Sequence, residues 1–390
     1  MLNKLPYSKT NDYTDEQAAT RRQTVSDETG TTFQHIDKYS LKPSDVAGNI
    51  ENFSGVAQVP MGITGPLKVN GEHARGEFYV PLATTEGTLV ASYNRGMKIA
   101  RLAGGIKTTI LDDAMNRGAA FQFANAQFAR DFGEWSSTHF AEIKAESEQT
   151  TSVGKLLNIN QYAVGKIRYL RFNFSTGDAA GQNMVNKAAH RACQWILAQK
   201  PPGLEWFKFG TQFDSDKKHS LVNALTVRGK KVVAEIVLPK KLMREVLHIT
   251  PQQYLKFKSI STLSALMAQA VTNASHIANG ITALFIATGQ DVANVAESSA
   301  GYYFGEETAD GDLYFSLTIP ALIVATYGGG TGLPTQRECL EMMDCYGTGK
   351  VRKFAEISAA VALCGELSLA SAIIADEFVA SHDKYGRNRP

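Results

Sequence analysis

The spacing of apolar residues changes along the chain, and each change predicts a different element. After Ala83-Thr84-Thr85-Glu86, the apolar positions Leu89, Tyr93, Met97 and Ala100 recur every three or four residues, the mark of one buried helix face. Thr84 offers an N-cap and Gly104-Gly105 a stop, so a helix of about 16 residues is predicted. Lys166 to Phe174 alternates and is rich in aromatic and β-branched residues, which predicts a strand. Gln182 to Gln199 has helical period, and Gly177-Asp178-Ala179-Ala180-Gly181 turns the chain between the two. Leu221 to Val227 and Val232 to Leu238 read as two strands of a hairpin joined at Arg228-Gly229-Lys230-Lys231. Ser261 to Phe285 and Lys353 to Val379 read as long buried helices rich in Ala, Leu and Ile. The first 50 residues are polar, with weak helical patterns only at Thr14 to Ser26 and Ser44 to Ile50, and predict an arm or small helical cap. The sum is an α+β fold with large central helices and no repeat that would make a solenoid.

Composition narrows the function classes. The 390 residues are 44% hydrophobic and 20% charged, enough for a sizeable core in two or three units. Forty basic against 38 acidic residues leave a net charge of +2 with no dense basic block, so no nucleic-acid partner is expected. Cys193, Cys339, Cys345 and Cys364 have no CxxC spacing, so neither a disulfide framework nor a metal site is expected. The polar N-terminal segment lacks the apolar core of a signal peptide, and the stretches at Ile319 to Tyr327 and Ile281 to Ala287 are too short to span a bilayer. A cytoplasmic protein without membrane contact is expected. Asn-x-Ser occurs at Asn52, Asn173 and Asn273, but without a secretory context the motif carries no weight.

Several short segments carry chemistry, each with a plainer explanation beside it. Glu86 at a predicted helix start is favoured there by the helix dipole alone. Asp216-Lys217-Lys218-His219 is a polar loop cluster of the kind that is usually solvated surface. Gly289-Gln290-Asp291 ends the apolar run Ile281 to Thr288, where a carboxylate needs a partner or solvent. His276 and Asn279, three apart, share a helical face and suit a packed pair as well as a ligand pair. Gly328-Gly329-Gly330-Thr331-Gly332 could offer backbone N–H groups to a pyrophosphate, but it does not spell GxGxxG. Gly347-Thr348-Gly349-Lys350 does not complete a Walker motif.

Taken in order, these strings resemble the 3-hydroxy-3-methylglutaryl-CoA reductases over roughly residues 45 to 386. The matching stretches are Glu51-Asn52 through Pro60-x-Gly62-x-x-Gly65-Pro66-Leu67, Ala83 to Gly87, Met115-x-Arg117-Gly118 and Gly177-Asp178-Ala179-x-Gly181-x-Asn183-Met184. Asp216-Lys217-Lys218, Gly289-Gln290-Asp291, Gly328 to Thr331 and the terminal His382 continue them. The resemblance implies an N-terminal helical arm over 1–50 and a large substrate domain around a central helix, from 51–117 and 209–390. It implies a small ferredoxin-like NAD(P)-binding domain inserted over 118–208. It further implies a homodimer or higher homo-oligomer with the active site at a subunit interface. The reaction implied is reduction of the thioester to mevalonate and free coenzyme A with two NADPH.

The residues suit that chemistry. A thioester carbonyl that accepts hydride becomes an oxyanion, so a fixed cation is the most useful single group, and Lys217 is the candidate. The aldehyde step consumes a proton, which a buried carboxyl beside a second carboxylate could supply, so Glu86 is the candidate acid, with Asp291 expected to bridge it to Lys217. His382 is the candidate acid for the departing coenzyme A thiolate. By resemblance, Arg117, Asp216, Lys218, His276 and Asn279 hold the substrate's carboxylate and hydroxyl. Asp178, Asn183, Met184, Gly328, Gly329, Gly330 and Thr331 meet the cofactor.

The sequence departs from the family at Asp178 to Gln182, where the eukaryotic pattern has methionines, and at Gly210, where that pattern has a substrate-touching serine. A further substrate lysine falls at Lys258 with its register shifted by a residue. The long loop from 209 to 221 and the terminal histidine look more eukaryotic and archaeal than like the other bacterial class, which favours NADPH with NADH as the alternative. Thr138-His139-Phe140 offers no clear 2′-phosphate site, and Arg95 and Lys98 are the cationic candidates. Two rival readings remain on sequence: NAD-dependent oxidation of mevalonate at the same site, and an inactive acyl-CoA-binding scaffold.

Overall fold

The computed structural model describes residues 2–377. The arm begins with α1 (Asp15–Thr29), capped by Thr14, whose hydroxyl accepts the Gln17 N–H at 3.2 Å. Arg21 on this helix is fully buried, where it pairs with Asp12 and donates to the Phe53 carbonyl at 2.9 Å. That tie folds the arm back on itself around Ala18, Val46 and Phe53. The helical pattern at Ser44 to Ile50 yields only a single 3-10 turn, Pro43–Val46.

An antiparallel hairpin follows, β1 (Met61–Asn70) on β2 (Arg75–Ala83). Its turn is held by the buried carboxylate of Glu356, which accepts the N–H groups of Glu72, His73 and Ala74. The helix α2 (Leu89–Leu102) buries Leu89, Tyr93, Met97 and Ala100 as predicted, but it starts three residues beyond Glu86. Thr84 is not its cap; its hydroxyl instead accepts the Glu86 N–H at 3.0 Å and shapes the turn before it.

The strand β3 (Lys107–Phe123) organises the rest, because its two halves serve two cores. The first half pairs with β7 (Gly229–Leu238), and the second half pairs with both β5 (Ile167–Ser175) and β6 (Leu204–Phe209). The sheet runs β4-β5-β3-β7-β9-β8, where β4 is Lys155–Val164, β8 Tyr302–Glu307 and β9 Leu313–Leu322. Between β3 and β6 lie α3 (Ala126–Thr138), α4 (Phe140–Glu148) and α5 (Gln182–Ala198), packed over a core that includes Phe121, Phe132, Phe172, Phe174 and Val185.

The predicted hairpin at 221–238 does not form. Leu221 to Leu225 is a helix, α6 (Leu221–Leu225), whose first turn is capped by the Ser220 hydroxyl. The fully buried Arg171 needs acceptors and takes them from this segment, from Asn223 Oδ1 at 2.6 Å and Thr226 Oγ1 at 2.9 Å. A strand would turn alternate residues away from it. A short turn, α7 (Lys240–Leu242), leads from β7 to the next helix.

The predicted helix from 261 to 285 is broken into α8 (Pro251–Met267) and α9 (Ile277–Thr288). The break is held by Glu366, a buried carboxylate that accepts the N–H groups of Ser275 and His276. The C-terminal half of α8 is not buried: Ile260, Leu263, Leu266 and Met267 face outward. Beyond α9 come α10 (Val295–Ser298), α11 (Pro334–Met342) and α12 (Val351–Ile374). By length and composition α12 could cross a membrane, longer than either stretch weighed from sequence, but most of it is enclosed within the fold as the helix of the main core.

Candidate active site

Helix α9 carries site residues at both ends. At its start, the Asn279 amide nitrogen lies 2.9 and 2.8 Å from the two carboxylate oxygens of Glu86. His276 precedes the first turn and is buried; the Tyr93 hydroxyl is 2.7 Å from its carbonyl and 2.9 Å from its Nδ1. A hydroxyl has one hydrogen, and giving it to the carbonyl leaves Nδ1–H to donate to the hydroxyl oxygen, with Nε2 the bare acceptor. Burial pushes the His276 imidazole below its ordinary pKa, against the smaller pull of its own backbone and of Glu366 and Glu86. Lys258 is also at this end, buried and paired with Glu366 at 3.0 Å.

Past the other end, Gly289 closes α9 at φ 68° and Asp291 follows. Asp291 Oδ2 is 2.9 Å from Lys217 Nζ, both side chains being about two-fifths exposed, so screening by water keeps this pair weak as a stabiliser. Asp216, next to Lys217, is gripped by Arg228 at 2.5 Å and by Arg117 at 3.1 Å. Its partial burial raises its pKa, but the two guanidinium groups outweigh that and hold it below the usual carboxylate range. Arg117 also binds Asp214 at 2.9 Å. Lys218 is exposed and turns back to the Asp216 carbonyl at 3.0 Å.

The glycine turn packs against this second end. A Cβ at Gly289 would sit 2.3 Å from the Gly330 carbonyl oxygen, so the two backbones meet in a contact only glycine permits. Beside it opens a cavity of about 540 Å³ lined by Asn183, Met184, Asp291 and Gly328 to Thr331, among others. Asp178 does not line it. Its carboxylate accepts the N–H groups of Gly349, Lys350 and Val351, and so caps the start of α12. The cationic candidate Arg95 is engaged by Ser368 and Glu377. His382 lies outside the described residues.

The sites called from sequence therefore fall into two groups. Glu86, His276 and Asn279 gather at the start of α9; Arg117, Asp216, Lys217, Lys218, Asp291, Asn183, Met184 and the glycine turn gather beyond its end. Ten residues at 1.5 Å rise separate Asn279 from Gly289 by about 15 Å. The expected Asp291 bridge between Glu86 and Lys217 is thus only half made within one chain. Sequence reasoning missed the buried residues behind the loop, Arg228, Glu297 and Asp214, and also Gln182, which spans Asp216 and Asn294 at 3.3 and 2.9 Å. The FDSDKK string signals Asp214 by its spacing from Asp216, whereas nothing local marks Glu297.

The profile of the family described as hydroxymethylglutaryl-coenzyme A reductase matches residues 17–387. The chain belongs to this family. It is 42% identical over 376 residues to the 3-hydroxy-3-methylglutaryl-coenzyme A reductase of Pyrococcus abyssi, spanning 94% of this chain and 92% of that protein. The Methanocaldococcus jannaschii reductase matches equally, at 42% over 376 residues and 94% and 92% coverage. The fold is shared with the class II reductase of Streptococcus pneumoniae solved with NADPH in open conformations, at a TM-score of 0.66 and 19% identity over 90% of this chain and 93% of that one. A second structure of the S. pneumoniae reductase gives 0.68 and 20%, over 90% and 92%. This member of the reductase family is thus nearer in sequence to archaeal relatives, while at so low an identity the likeness to the class II structures is one of fold.

Proposed function

We propose that the protein reduces 3-hydroxy-3-methylglutaryl-CoA to mevalonate and coenzyme A with two NADPH, through a hemithioacetal and an aldehyde held at one site. The observation that carries this reading is the 2.9 Å pairing of Lys217 with Asp291, which lines the cavity beside the glycine turn. An ammonium held there by a carboxylate is aimed at the oxygen on which charge develops when hydride arrives, in both reductions. Glu86 supplies the proton of the second, and His382 that of the departing thiolate.

The cofactor unit is the insert at 118–208. The order β6-β3-β5-β4, with helices between the first and second and the third and fourth strands in sequence, is the split βαβ arrangement of a ferredoxin-like domain. Its boundary falls inside β3, so the insert shares a strand with the substrate domain. Asn183, Met184 and the Gly328 to Thr331 turn line the cavity that NADPH would enter, and the S. pneumoniae reductase solved with NADPH supports that cofactor. Asp178 acts there through the turn it caps.

The working form is a homo-oligomer in which one subunit's Glu86, His276 and Asn279 face another subunit's Lys217 and Asp291. The separation of these groups across α9 supports this. So does exposed apolar surface: Leu221 and Leu225 of α6 are exposed just after the lysine loop, and Leu263, Leu266 and Met267 are exposed at the end of α8. A cytoplasmic location fits the enclosure of α12 in the core.

The test is to follow oxidation of NADPH, and separately of NADH, with the hydroxymethylglutaryl thioester. Two cofactors oxidised per coenzyme A released are expected, with NADPH preferred. A ratio of one would make the aldehyde the product and overturn the two-step reading.

A further inference from the structure

Ser215 and Lys217 both stand at φ 55°, in the left-handed region that L residues rarely occupy. Such a loop needs holding from outside. The Lys217 N–H donates to Glu297 Oε1 at 3.0 Å. Glu297 lies on α10 and is 1% exposed; its other oxygen is 2.9 Å from Arg228 Nε and 3.5 Å from Asn223 Nδ2. Arg228 is itself fully buried, donates to the Asn116 carbonyl at 2.9 Å, and grips Asp216 Oδ1 at 2.5 Å. Glu297 and Arg228 thus hold two successive loop residues, one by its backbone and one by its side chain. The Lys217 ammonium is left to reach Asp291, six residues before Glu297 in the same short segment.

We propose that Glu297 is a positioning residue of the reductase: it fixes the left-handed backbone of Lys217 and thereby the aim of the ammonium at the reacting oxygen. The inference rests on the reading of Lys217 as the oxyanion cation. A carboxylate suits the position because it accepts from the Lys217 N–H on one oxygen while the other meets a buried guanidinium. Burial pushes the Glu297 carboxyl up to about 7 against the opposing pull of Arg228 and of the Lys217 N–H. An amide of the same shape cannot do both tasks: with its oxygen on the Lys217 N–H its NH2 faces the cationic Arg228 guanidinium, and with its oxygen on the guanidinium its NH2 faces the Lys217 N–H, donor against donor.

Glu297→Gln, made in the full chain, tests this. The measurements are kcat, KM for thioester and cofactor, the melting temperature, and hydrogen exchange of the peptide containing Lys217. Misplacing a reacting group by about 1 Å can cost a hundredfold in rate, so a loss of at least about tenfold in kcat is expected, with both KM values within about twofold. Exchange should quicken at 214–218 beyond any change elsewhere in the chain, while the melting temperature falls as the buried pair with Arg228 is weakened. Unchanged kcat in Glu297→Gln, or a fallen kcat with unchanged exchange of the loop, overturns the proposal. Should Glu297→Gln fail to fold, Glu297→Asp, which keeps the charge for Arg228 but draws the acceptor back from Lys217, takes its place with the same outcomes. Lys217→Ala run alongside separates the two readings. Full turnover in Lys217→Ala sinks the role of the lysine, whereas an inactive Lys217→Ala beside an unimpaired Glu297→Gln sinks only the role of Glu297.

Discussion

The side-chain amide of Asn279 spans both carboxylate oxygens of Glu86, at 2.9 and 2.8 Å. The residue that anchors the candidate acid is itself anchored in the first turn of α9, so the acid's direction is set by a core helix although Glu86 is exposed. Asn279→Asp would put carboxylate against carboxylate and turn Glu86 away. Turnover should fall by about ten- to a hundredfold, as for a displaced catalytic group, with the melting temperature little changed. Steady-state rates and thermal melting of that variant check this, and an unimpaired rate would free Glu86 from Asn279.

Lys217→Ala should abolish both half-reactions while the protein still folds, because the side chain is exposed and its ion pair is screened. Losing a preorganised oxyanion donor costs roughly 3 to 4 kcal/mol, or about two to three decades in rate. Separate assays on the thioester and on mevaldehyde measure each step. Near-normal turnover would move the assignment to Lys218.

Two inactive variants should rescue each other if the site is shared between subunits. Glu86→Gln and Lys217→Ala, unfolded together and refolded as a mixture, should regain about a quarter of native activity, since half of randomly formed dimers hold one intact site. Mixtures no better than the separate variants would show that each chain completes its own site.

Acid should destabilise the fold through His276. Burial holds its pKa below the ordinary value near 6.5, so the unfolded chain binds more protons once the pH drops under that value. The neutral-imidazole contribution is therefore fully present above about pH 6.5 and is lost below it. Thermal melting of the native protein and of His276→Asn, from about pH 8 down to pH 5, should show a shallower loss in the variant. Parallel curves would mean that His276 does not carry the effect.

His382 is assigned to one step only, protonation of the coenzyme A thiolate, whose thiol has a pKa near the cysteine reference of about 8.5. His382→Ala should slow reduction of the thioester far more than reduction of free mevaldehyde, which has no sulfur leaving group. Equal losses on both substrates would remove that role.

Where one face of one element decided the matter, the sequence by itself was sufficient. The three- and four-residue spacing of Leu89, Tyr93, Met97 and Ala100 determined α2, the alternation from Lys166 determined β5, and the ordered motifs determined the family. Only the tertiary structure decided what depends on buried charge. The Leu221 to Val227 run looks like a strand until Arg171 must find acceptors, and 261–285 looks like one helix until Glu366 must be satisfied by the N–H groups of Ser275 and His276. The strand β3 escapes pattern reading because Asp113, Asn116 and Arg117 interrupt its alternation with side chains that distant partners satisfy. The same holds for Glu297 and Arg228. A buried ion costs too much to leave unpaired, but its partner can lie anywhere in the chain, so the pairing that shapes the lysine loop is written in three dimensions and not in any local stretch of sequence.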